Sequence, residues 1–174
     1  MEENKKGNGI KSKVDRQATS LLDITFWSNI VVIAVVIVIN IVNIQRESAG
    51  GERLVTVASP ELVMIVSAAL CVWMVARAAS AVITKKRLKG VFVAVTERGV
   101  EGVSMPEPMT NKTAKRFSIG FDEICEARTV EVAITKKHDV PSLKIGGADE
   151  AYTVPAPERL RDILNMILER MPQD

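Results

Sequence analysis

From Phe26 to Ile44 the chain runs 19 residues without a charged side chain. No other feature limits its fold as strongly. At about 1.5 Å of rise per residue, a helix of that length reaches roughly 28 Å, close to the apolar thickness of a bilayer. The run Ile30 to Ile39 is rich in β-branched residues, which in water suits a buried strand. Strands, however, run about 4–8 residues. In lipid a segment must also satisfy its own backbone hydrogen bonds. The expectation is therefore a transmembrane helix over about residues 24–44.

A second apolar stretch follows Pro60-Glu61. Leu62 to Ala76 is uncharged, Arg77 interrupts, and Ala78 to Thr84 is uncharged again. This predicts a second span over about 62–84, joined to the first by a loop over 45–61. Arg77 lies near the basic cluster Lys85, Lys86, Arg87 and Lys89, so its guanidinium is expected to snorkel to the interface. Lys5, Lys6, Lys11, Lys13 and Arg16 precede the first span, whereas the loop holds only Arg46 and Arg53. Lysine and arginine favour the cytoplasmic side, so both termini are expected inside and the loop outside. The apolar core exceeds a signal-peptide h-region of about 7–15 residues, which favours an uncleaved hairpin over cleavage near Ser48-Ala49-Gly50.

Within the second span, Ser67 with Cys71 and Ala76 with Ser80 bring small side chains to one face at helical spacing. Such positions let helices approach closely, within one chain or between copies. Asn40 and Asn43 are placed to hydrogen-bond across helices or to meet interfacial water. Trp27 falls at the inner end of the first span; Trp73 falls mid-span and is expected to pack on the partner helix. Cys71 in the membrane and Cys125 beyond it do not suggest a disulfide.

The charge balance is ordinary, 23 basic against 21 acidic residues, which argues against a nucleic-acid partner. Residues 91–174 carry 11 basic and 14 acidic side chains, so the positive charge collects at the span ends. In that region Val91 to Thr96 reads as a strand, Glu97-Arg98-Gly99 as a tight turn with glycine at a positive-φ position, and Val100 to Ser104 as the returning strand. Met105 to Thr113, with two prolines, reads as a loop. Phe117 to Phe121, Ile124 to Thr129, Val130 to Thr135, Leu143 to Ile145 and Tyr152 to Val154 complete seven strands, with a turn over Lys136 to Asp139. After Pro157 the period changes. Leu160, Ile163, Leu164, Ile167, Leu168 and Met171 follow helical spacing, and their stripe must bury on the sheet. The fold class is thus membrane α plus soluble α+β. Residues 1–23 form a cytoplasmic tail, 24–84 a transmembrane hairpin, and 85–174 a bent seven-stranded sheet or open barrel with one capping helix.

The turn Thr96-Glu97-Arg98-Gly99-Val100 and the step Phe121-Asp122-Glu123-Ile124, followed by hairpins and a terminal helix, resemble the bacterial pleckstrin-homology-like domains. Many of these are tethered by two transmembrane helices. The resemblance covers roughly residues 88–172. It implies a seven-stranded bent sheet capped by a helix, a non-catalytic interaction module that is sometimes oligomeric, and an address at a bacterial inner membrane. Lipid-binding members of the wider superfamily carry several basic residues on the first hairpin. Here that tip offers only Arg98, beside Glu97 and Glu101, which argues against phosphoinositide recognition.

No phosphate-binding glycine loop, paired-cysteine motif or nucleophile elbow is present in the sequence. His138 is the single histidine and reads as a solvated turn residue. No catalytic, metal or cofactor site is expected, and no small-molecule substrate. Two further basic groups, Lys112, Lys115 and Arg116 in one and Lys136 and Lys137 in the other, are candidate contacts for anionic lipid or a protein partner. The expected function is protein–protein interaction or self-assembly at the membrane. The alternatives are an anionic-lipid sensor and a small subunit of a transport or channel complex.

Overall fold

The computed structural model describes residues 10–55, 59–110 and 114–172; Lys5, Lys6 and Lys112 lie outside the described residues. The chain divides into two compact units, residues 23–83 and residues 1–22 together with 84–174.

The first unit is built on helices α1 (Arg16–Ser48) and α2 (Pro60–Leu88). Both are long and apolar enough to cross a membrane. Each outruns the span expected from its charge-free stretch. Asp15 caps α1, its carboxylate accepting the Gln17 N–H at 2.9 Å. Pro60 opens α2 at the position where a missing N–H costs nothing. Along α1 the covered residues recur as Asn29, Ile33, Val36, Asn40 and Asn43. Along α2 they recur as Val63, Ser67, Leu70 and Met74. Spacings of three and four put each set on one side of its helix. The Asn40 side-chain amide donates to Ser67 Oγ at 3.0 Å, joining the helices. Asn43 instead accepts the Leu54 N–H at 2.9 Å and holds the loop, near the Arg53–Glu47 ion pair.

In the second unit, and among the described residues, two antiparallel sheets form. The first has the order β1 (Ile10–Lys13), β2 (Phe92–Val95), β3 (Gly99–Ser104), β4 (Lys115–Gly120). The second has the order β5 (Ile124–Thr135), β6 (His138–Gly147), β7 (Ala151–Pro155). A 3-10 turn, Phe121–Glu123, connects them, and α3 (Leu160–Arg170) follows. Ser104 Oγ donates to the Thr153 carbonyl and accepts the Thr153 N–H, which ties the end of β3 to β7. Phe117 of β4 stacks on Tyr152 of β7 at 4.6 Å between ring centres. Val93, Val95, Leu143, Ile145, Ile163 and Ile167 fill the core between sheets and helix.

Several expectations need correction. Residues 10–13, placed in a tail, are a strand that completes the first sheet, pairing Ile10 with Val95 and Lys13 with Phe92. Among the described residues six strands, not seven, follow Gly90. The strands expected over 124–129 and 130–135 are one continuous strand, and the turn contracts to Lys136-Lys137 because β6 begins at His138. Pro141 fits inside β6 because it lies beyond the stretch paired with β7, where β6 is itself an edge. Gly99 does not adopt positive φ. It is needed because a Cβ there would collide with the Ile119 carbonyl oxygen across the β3–β4 pair.

Candidate interaction surface

β5 is twelve residues long and borders the second sheet, so one of its sides is bonded to β6 and the other to no strand among the described residues. Cys125, Glu126, Arg128, Thr129, Glu131 and Ala133 are exposed along it. Ile124, Val132 and Ile134 turn inward and anchor it. Register shifts occur near both ends, between Ile124 and Glu126 and between Ala133 and Thr135. They leave the stretch from Glu126 to Ala133 regular. Glu126 and Arg128 pair on its surface at 2.7 Å, a contact that contributes little to stability at such exposure.

Beside this strand lies a groove of about 900 Å³. Thr129 and Pro141 form its sheet wall, Leu160 and Arg161 line it from the start of α3, and Asp15 and Leu21 from the root of α1. The segment from Ala156 to Arg159 crosses the groove, held by the end of β1. Asp15 N–H donates to the Ala156 carbonyl at 2.7 Å, and Glu158 N–H to the Lys13 carbonyl at 2.9 Å. Ser12 Oγ, from a buried side chain, accepts the Arg159 N–H at 3.3 Å. Ala156 sits at φ +40°, a left-handed conformation disfavoured for alanine, and these bonds hold it there. On α3, Ile163 and Ile167 are fully buried, Leu160 and Leu164 half-buried, and Leu168 46% exposed. The apolar stripe is wider than the core it covers.

The sequence-predicted residues are distributed as follows. Lys85 and Arg87 are half-buried at the end of α2, where Arg87 donates to the Thr110 carbonyl at 2.6 Å; Lys86 and Lys89 are exposed. Lys115 and Arg116 open β4, and Lys136 and Lys137 form the β5–β6 turn, all four exposed. Ser67 and Cys71 are half-buried, whereas Ala76 and Ser80 are exposed, so the two small pairs do not act alike. Ala78 and Ala81 are the small residues that α2 covers. Arg77 lies over the Trp73 ring at 5.1 Å. Trp73 is 52% exposed, so it partners Arg77 rather than the other helix. Cys71 and Cys125 are free thiols. His138 is exposed at the start of β6. Sequence reasoning missed the Ser12, Lys13 and Asp15 clamp. The signal available was Asp15 itself, a helix-capping type ahead of a long helical run.

Tyr152 has its pKa raised above the usual 10, chiefly because its hydroxyl hydrogen-bonds to Glu150, with desolvation and the Glu150 and Glu123 charges adding to it. It is the chain's single tyrosine. Tyrosinate absorbance in an alkaline titration is therefore expected to rise later than in a free tyrosine, and Glu150→Gln is expected to bring the midpoint down. Because the folded-state pKa is raised, the contribution to stability is present below the ordinary value and lost as pH climbs past it.

No family model, no curated protein and no solved structure matches this chain.

Proposed function

We propose that this chain is an integral membrane protein whose lobe, built on two β-sheets, is a pleckstrin-homology-like, non-catalytic module for protein–protein interaction or self-assembly at a bacterial inner membrane. The observation that carries this is the side of β5 without a strand partner among the described residues, set beside a groove of about 900 Å³ that the half-buried Leu160 of α3 helps to line. An extended segment can add to such an edge through main-chain hydrogen bonds, with neighbouring pockets supplying selectivity. A membrane hairpin with both ends on one side is supported by the pairing of β1 with β2, since one strand precedes α1 and the other follows α2. The protein reading is favoured over lipid sensing because Arg87, within the densest basic cluster, is already engaged with Thr110.

The test places a photo-activatable benzophenone side chain at Thr129 or Ala133 of full-length protein in native membranes, with Val82 of α2 as the control position. Adducts with a protein, or with a second copy, are expected from the β5 positions and not from Val82. Adducts confined to lipid from both β5 positions count against the proposal, and so does an absence of protein adducts above background.

A further inference from the structure

β1 is the first described element and β2 follows it by nearly eighty residues, yet the two are neighbours in one sheet. Two residues separate β1 from α1, and three separate α2 from β2. Neither connection has slack. At about 3.3 Å per extended residue, three residues span roughly 10 Å, far less than a bilayer. β1 is also bound beyond its ladder. Ser12, Lys13 and Asp15 hold the Ala156 to Arg159 segment, and Val14 bridges to Pro157. Without β1, the side of β2 that now carries Ile10 to Lys13 would stand open along Val93 and Val95, both fully buried. Such an edge is a template for aggregation.

We propose that β1 is a latch that keeps the lobe open in any chain in which only one of the two helices crosses the membrane. This rests on reading α1 and α2 as membrane spans. A chain in which both helices cross returns β2 to the side where β1 waits. A chain in which one helix crosses leaves the two strands on opposite sides, and the short connections forbid pairing. The lobe therefore closes on inserted hairpins and leaves half-inserted chains with an open strand.

The test uses full-length protein with Lys11→Cys and Ala94→Cys, which are opposed in the β1–β2 ladder. Antiparallel neighbours lie within disulfide reach. Cys71→Ser and Cys125→Ser remove the native thiols. The chain is synthesised in vitro with or without inverted membrane vesicles, oxidised, and scored by mobility before and after reduction. A second chain adds Val32→Arg, Val35→Arg and Val38→Arg, three exposed positions of α1 that keep this helix out of lipid while α2 remains apolar. Expected with vesicles is a cross-linked fraction at least fivefold lower in the triple-arginine chain than in its parent, while the triple-arginine chain stays in the carbonate-resistant pellet, and no such difference between the two chains without vesicles. Equal cross-linking of the two chains with vesicles overturns the latch alone. Release of the unaltered chain by carbonate overturns the spans, and the latch with them.

Discussion

Expressed as residues 90–174, the lobe is expected not to fold. The fragment looks like a natural domain by sequence, since it carries six of the seven described strands and the terminal helix. It lacks β1, and with it the partner of β2. It also lacks Ala18, Leu22 and Leu88, which are buried in this unit although they belong to the two long helices. Truncating one buried leucine to alanine costs about 2–5 kcal/mol. A domain's entire stability is about 5–15 kcal/mol. Loss of two leucines, a strand and the bonds from Ser12, Lys13 and Asp15 is of the same size as everything that holds the lobe together.

The register supplies the matching repair. Lys13 faces Phe92, so a two-residue Asn-Gly turn can join them once residues 14–91 are removed. The stitched chain regains β1 but not Leu22 or Leu88. Three chains should rank in order: the 90–174 fragment unfolded, the stitched lobe folded with a low urea midpoint, and the full-length protein highest. Both tryptophans lie in the long helices, so far-ultraviolet circular dichroism serves for the two chains that lack them and pulse proteolysis in urea for all three. A cooperative transition in the 90–174 fragment, at the midpoint of the full-length chain, would show that β1 adds nothing.

The parts of the fold that sequence reveals are those where one physical requirement dominates. The long helices are legible because lipid demands a charge-free run, and α3 because one sheet buries one stripe. β1 is not legible. It is four residues long, Ile-Lys-Ser-Lys, with one large apolar side chain, and its buried member is Ser12, which is held by a hydrogen bond. Its strand character comes from β2, not from its own pattern. β5 is misread as two strands because Glu126, Arg128 and Glu131 place charge on both of its faces and mask the alternation that Val132 and Ile134 begin. Those charges belong to a strand that borders its sheet, as natural edge strands often carry them. The candidate surface is thus illegible for the same reason that it is free. The small residues of α2 are legible only as a set. Spacing alone groups Ala76 with Ser80 as readily as Ser67 with Cys71, and only the hydrogen bond from Asn40 to Ser67 selects the second pair.

α3 separates stability from recognition. By spacing, Ile163, Ile167 and Leu168 are members of one stripe and invite equal treatment. In the structure Ile163 and Ile167 are fully buried, while Leu168 is 46% exposed. Ile167→Ala removes packed atoms that the surrounding strands cannot follow inward, and is expected to cost about 2–5 kcal/mol. On a stability of about 5–15 kcal/mol this lowers the urea midpoint of the lobe sharply and raises the unfolded fraction by a factor of about 30 or more. Leu168→Ser removes a side chain that water already reaches, and is expected to stay within about 0.5 kcal/mol of the parent. Leu160 is half-buried and lines the groove together with Thr129, so it is the α3 side chain whose change to serine should lower photo-adducts from Thr129 severalfold. If Leu168→Ser instead destabilises the lobe as much as Ile167→Ala, Leu168 belongs to the core rather than to the exposed margin of the stripe.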